Sequence, residues 1–191
     1  MLRELVLKNR SCRRFYEDHA VERGTLEELV DLARYTASAG NLQPLKYLLS
    51  SDRRKNELIF PNLAWAGYLT DWPGPPPGER PSAYIIILGD TDIARSFGCD
   101  HGITAQTIVL GAREKELAGC IIASIKRDEL RGVLRIPGRY EILLAVALGK
   151  PKEEVVIETV GADGDIKYWR DTGAVHYVPK RPLEELIVEP L

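Results

Sequence analysis

Two short basic clusters, one near each end of the chain, carry residue types that can hold a phosphate dianion. Arg10, Ser11 and Arg13 follow the apolar positions Leu2, Leu5 and Val6, and Lys180 with Arg181 follow Pro179. Brought together by a fold, they would supply several cations, a hydroxyl and exposed amides. Charge-assisted hydrogen bonds of that kind contribute roughly 1.5–3 kcal/mol each. Left apart, both clusters are solvated surface charge, and composition alone favours that second reading.

A second constellation is the loop Ser38, Ala39, Gly40, Asn41, Leu42, Gln43, Pro44. Asn41 and Gln43 offer side-chain amides that both donate and accept, beside small residues that let a ligand approach the backbone. The loop either reads the polar edge of a planar heterocycle or simply ends a helix, and taken alone the second is the better account. Trp65, Tyr68 and Trp72 form a third group, just before the stiff segment PGPPPGERP at 73–81, which holds five of the 12 prolines. These rings would make an aromatic lid over planar substrates or would pack the core and loop. The proline run is too poor in donors for helix or sheet and is expected as an extended surface loop over a site.

Several other chemistries have no signature here. There is no GxGxxG, P-loop, HExxH or GxSxG motif, and His19, His101 and His176 are far apart. Cys99, Asp100 and His101 are adjacent, but Asp100 reads more simply as a helix N-cap, so no metal site is expected. Cys12, Cys99 and Cys120 are odd in number and lack a CxxC pair, which suits a reducing cytoplasm. With 26 Lys and Arg against 28 Asp and Glu, the net charge of -2 gives no global field for nucleic acid or anionic lipid. The charged N-terminus lacks a signal peptide's apolar stretch, and the longest apolar run, Ile142 to Leu148, is too short to span a bilayer.

The elements that must position these residues follow from periodicity. Leu2, Leu5 and Val6 mark a short amphipathic helix. Thr25 with Glu28 reads as a capping box ahead of Leu26, Leu29, Val30, Ala33 and Ala37. Strands are expected at Leu45 to Leu49, Tyr84 to Leu88, Cys120 to Ile125 and Tyr140 to Leu148, with a helix from Ile103 to Ala112. Val155 to Val160 and Ile166 to Trp169 flank an Asp-Gly tip, a hairpin pattern. The sum is an α+β fold with a mixed central sheet flanked by helices, and 191 residues suit one domain over 1–191.

The order of these pieces resembles the nitroreductase family of FMN-dependent oxidoreductases over most of the chain. Asn9 to Arg13 is similar to that family's opening basic motif, and Ser38 to Pro44 to its Ser-Ala-x-Asn-x-Gln-Pro loop. Asp100, Gly102, Ala105 and Gln106 match its central helix, and Leu117 to Ser124 its flavin-flanking strand. Ile136, Pro137, Tyr140 and Leu148 to Pro151 match a later turn and strand end, and Val178 to Arg181 its closing basic motif.

The resemblance implies an intertwined homodimer with FMN at each interface. Arg10, Ser11, Lys180 and Arg181 would hold the phosphate, and Arg13 would face the ribityl or the N1 and C2 carbonyl edge. Ser38, Ala39, Asn41 and Gln43 would come from the other subunit. The backbone of Ile122, Ala123 and Ser124 would lie along the ring. Hydride would pass from NADH or NADPH through flavin N5 to a nitroaromatic, quinone or other planar acceptor in a ping-pong cycle, with no catalytic side chain required. Alternatives are a non-catalytic flavin-binding or sensing protein and a reductive dehalogenase of the same fold. Asn9 replaces a basic residue of the family pattern, Ala37 a proline and Leu45 a tryptophan, and Glu116 stands in a turn that is usually glycine-rich.

Overall fold

The computed structural model describes residues 2–188. In chain order the elements are α1 (Leu2–Lys8), β1 (Phe15–Tyr16), α2 (Arg23–Ala33), β2 (Leu45–Ser50), α3 (Arg53–Ile59), β3 (Ala83–Asp90), α4 (Asp100–Glu114), β4 (Ala118–Ile122), α5 (Arg127–Leu134), β5 (Tyr140–Pro151), β6 (Val155–Thr159), β7 (Trp169–Arg170) and β8 (His176–Lys180). The main sheet runs β1-β5-β3-β2, with β4 also on β5, and each of these pairings is antiparallel. A smaller sheet, β6-β8-β7, contains the parallel pairing, so the architecture is α+β with helices on both sides of the main sheet.

The unbroken apolar run of β3 is explained by burial on both faces. Ile85 and Ile87 meet Leu26, Leu29 and Ala33 of α2 and Ala105, Ile108 and Ala112 of α4. Tyr84, Ile86 and Leu88 meet Ile59 of α3 and Leu130 of α5 on the opposite side. Strand β5 alternates in the same way until a bulge opposite Ile87 and Leu88, where Leu143 is the extra residue and Ile142 rejoins the face of Ala145 and Ala147. Helices α2 and α4 cross closely at Gly111, where an added Cβ would lie 2.9 Å from a Leu32 methyl.

Local competition moves several boundaries from their sequence-based positions. Helix α2 starts at Arg23, so Thr25 sits inside its first turn with its N–H on Glu22 O, and the Thr25–Glu28 capping box does not form. The helix ends at Ala33, because the Thr36 hydroxyl and amide both bond the Ala33 carbonyl, which leaves Ala37 exposed beyond it. Helix α4 is capped from Cys99. Asp100 is therefore its first residue and no N-cap, and its buried carboxylate accepts from Ser38 Oγ (2.7 Å) and Ala39 N–H (3.1 Å). Helix α3, which periodicity did not announce, is capped by the Asp52 side chain on Lys55 N–H at 2.8 Å.

The expected hairpin between Val155–Val160 and Ile166–Trp169 is absent. A turn forms at Gly161 to Gly164, but β6 instead runs parallel to β8 over five residue pairs, a longer register than Ile166 to Trp169 could offer. Trp169 turns to β8 as well and stacks on Tyr177, centroids 4.3 Å apart. Among the described residues no helix is long and apolar enough to cross a membrane.

Candidate functional site

After α1 the chain turns along the end of β4. Asn9 N–H still bonds Leu5 O, Arg10 Nη2 donates to Val6 O at 2.6 Å, and Cys12 N–H bonds Gly119 O at 3.0 Å. The amides of Arg13 and Arg14 both donate to the buried carboxylate of Glu153. Strand β8 carries Lys180 to the same place. Together they border a cavity of about 330 Å³ lined by Arg10, Ser11, Arg13 and Lys180, with Gly119 and Ile121 of β4 and Gln106 of α4. That volume lies within the range of small-ligand sites.

The electrostatics of this cavity set it apart. Arg14 pairs with Glu79, Arg170 with Glu153 and Arg181 with Glu185. Among the described residues, the side chains of Arg10, Arg13 and Lys180 meet no carboxylate, and no acidic residue lines the cavity. Burial lowers the pKa of Arg10 from its ordinary value, and its Nε is buried without a partner. An arginine stays charged under such a shift, so three uncompensated cations and the Ser11 hydroxyl share one concave surface.

Arg13 is held by neutral groups. Nη1 lies 3.3 Å from Ser11 O and 3.2 Å from His176 Nε2, and its guanidinium carbon is 4.8 Å from the Tyr168 ring centroid. Tyr168 continues outward to Tyr68, centroids 4.9 Å apart, and its hydroxyl accepts the Tyr68 N–H at 3.3 Å.

Not every residue named from sequence lines the cavity. Arg181 points to Glu185. Ser38, Ala39, Asn41 and Gln43 are absent from its lining. Ser38 and Gln43 instead border a separate cavity of about 170 Å³ with Tyr47 and Asp100. Their loop is strained, since Asn41 and Gln43 have φ of 54° and 52°, a conformation held by the Ser38 hydroxyl accepting the Gln43 amide at 2.9 Å. Ile122 is buried, while the carbonyls of Ala123 and Ser124 accept from Arg127 and from Ala64 N–H. Trp65 packs against Phe60 and under Gly74, Trp72 lies beneath the Arg170 guanidinium, and only Tyr68 of the three is largely exposed.

Sequence reasoning placed Gly119 and Ile121 in the flavin-flanking strand and Gln106 in the central helix without naming them at the site, and it missed Tyr168 and His176. Strand alternation could have found Ile121, which faces opposite to Cys120 and Ile122. Tyr168 and His176 carried no such signal, because the misassigned hairpin hid their pairing.

The profile of the nitroreductase family matches residues 6–68 and 77–150, and the chain belongs to that family of oxidoreductases. An Archaeoglobus fulgidus protein named as a candidate NADH dehydrogenase/NAD(P)H nitroreductase is 24% identical over 159 residues, 79% of this chain and 86% of its own length. Among solved structures, a nitroreductase family protein from Streptococcus pneumoniae TIGR4 superposes with a TM-score of 0.72 at 17% identity over all of both chains. An FMN-dependent nitroreductase from Clostridium difficile R20291 reaches 0.62 at 20% identity over 78% of this chain and 87% of its own. The profile skips 69–76 and stops at 150, so Trp72, Tyr168, His176 and Lys180 lie outside the match.

Proposed function

We propose that the cavity binds FMN and that the protein is an NAD(P)H-dependent flavin oxidoreductase acting as a homodimer in the cytoplasm. The observation that carries this reading is the set of three cations without carboxylate partners, Arg10, Arg13 and Lys180, around the Ser11 hydroxyl. The fit is supported by the unpartnered buried Nε of Arg10 and by the close packing at Gly119. An added Cβ there would lie 3.0 Å from Val109 and Leu148, so this part of β4 lies tight against α4. Free Cys12, Cys99 and Cys120 suit a reducing compartment.

Arg10, Ser11 and Lys180 hold the phosphate, and Arg13 sets a positive charge at the ring edge. Ile121 and Gly119 provide an apolar floor, and Tyr168 with Tyr68 forms an aromatic wall for a planar acceptor. Arg181 belongs to the phosphate grip only once its pair with Glu185 opens. The backbone of Ile122, Ala123 and Ser124 continues the floor, and Ser38, Ala39, Asn41 and Gln43 of the partner subunit complete the ring pocket. FMN, when bound, would supply the hydride chemistry between NADH or NADPH and a nitroaromatic, quinone or similar acceptor, in a ping-pong cycle.

The test is a visible spectrum of the purified protein, followed by anaerobic addition of NADPH and NADH in separate samples. A yellow protein bleached by either donor and recoloured by a nitro compound or quinone is the expected result. A colourless protein that takes up no FMN overturns the reading, and a yellow one that neither donor bleaches is a flavin-binding protein without turnover.

A further inference from the structure

We propose that His176 is a positioning residue that orients Arg13 toward the cavity while leaving its charge unneutralised. The proposal rests on the FMN reading for its consequence and on the geometry around Arg13 for its substance. A guanidinium only donates, so the His176 nitrogen 3.2 Å from Arg13 Nη1 must present its lone pair. His176 is fully buried, and burial, with Arg13 and Arg170 nearby, pushes its pKa down to about 4, so the ring is neutral with the proton on Nδ1. Tyr168 completes the arrangement, its ring 4.8 Å from the Arg13 guanidinium carbon and 5.2 Å from the imidazole at 48°.

The cost of this arrangement argues for its role. Nδ1 is buried without a partner among the described residues, a penalty that an apolar side chain filling the same space would avoid. Arg14, the next residue, shows the alternative way to fix an arginine: Glu79, shared with Lys152, takes its Nε and Nη2 and sets a carboxylate directly against its charge. Arg13 is held by a carbonyl, an imidazole lone pair and a π face, which set its direction and keep a full positive charge available to the ligand. On FMN that charge favours the reduced cofactor, which carries more negative charge at the ring edge. His176 lies outside the region that matches the family profile, in the C-terminal segment that carries β8.

The experiment compares the two-electron potential of bound FMN in the wild type, Arg13→Met, His176→Leu, His176→Gln and the double variant Arg13→Met/His176→Leu. Arg13→Met is expected to weaken reduced FMN about tenfold relative to oxidised FMN, a potential about 30 mV more negative. His176→Leu should reproduce most of that shift, the double variant should add nothing to Arg13→Met, and His176→Gln, whose amide oxygen still accepts, should stay near wild type. Nitrogen-15 imidazole spectra of the apoprotein should show His176 protonated on Nδ1, with the Nε2 signal displaced in Arg13→Met. Additive shifts, an unchanged potential in His176→Leu, or the opposite tautomer would overturn the proposal while leaving a flavoprotein. Failure of the wild type to take up FMN would instead overturn the flavin reading.

Discussion

The main sheet and the β6-β8-β7 sheet are held by different physics. Around β3 and β5 the interior is dry, and Ile85, Ile86 and Ile87 stand fully buried between two helical layers. The small sheet has short strands and is tied down by polar groups: Glu153 to Arg170 and to the amides of Arg13 and Arg14, Trp169 on Tyr177, and Arg170 over Trp72. The dry region supplies non-directional stability. The charged region supplies orientation, and each of its groups fails badly if a partner is lost.

The contrast is broken most severely at Glu153. Glu153→Ala leaves Arg170 and two backbone amides without their buried acceptor and should cost about 3–5 kcal/mol of unfolding free energy, read by chemical denaturation. A loss below 1 kcal/mol would show that the small sheet does not depend on this charge.

Acid comes next. The folded pKa of His176 is depressed to about 4, so between roughly pH 6.5 and 4 the unfolded chain binds a proton that the folded chain refuses. Stability therefore falls as pH drops through that window, by about 3 kcal/mol in all, and His176→Gln should flatten this part of the profile. Below it, Glu79, lowered to about 2 chiefly by its hydrogen bond with Arg14, loses its contribution as pH falls from about 4.5 toward 2.

Lys180→Ala should weaken FMN by roughly 1.5–3 kcal/mol, on the order of tenfold to a hundredfold by fluorescence titration, with apoprotein melting unchanged. Arg181→Ala should cost less than about 1 kcal/mol, because its exposed pair with Glu185 is weak and it lies outside the cavity. The smallest effect is expected in the dry region, where Ile86→Val should lose about 0.5–1.5 kcal/mol of stability and leave FMN affinity intact. An affinity change there would mean that the two regions are coupled.

What was legible in the sequence follows the same division. Apolar runs such as Tyr84 to Leu88 and Tyr140 to Leu148 announce their strands, because burial on both faces leaves no other composition open. The basic segment Arg10 to Arg13 and the distant Lys180 were readable as types, and the structure brings them to one cavity. Tyr168 and His176 were not readable, since their roles depend on which strand β8 joins, and the Asp-Gly turn pointed to the wrong partner. Arg181 looked equivalent to Lys180 in sequence, and only the position of Glu185 separates them.

The cavity wall joins Arg10, just after the first helix, to Lys180, close to the end of the described chain. A ligand that touches both therefore fastens the segment after α1 to β8. Its binding should slow amide hydrogen exchange most at β8 and at residues 9–14, while exchange in β3 reports only global unfolding. At a hundredfold excess over Kd the added stability is about 2.7 kcal/mol. During synthesis the cavity cannot close until β8 has left the ribosome.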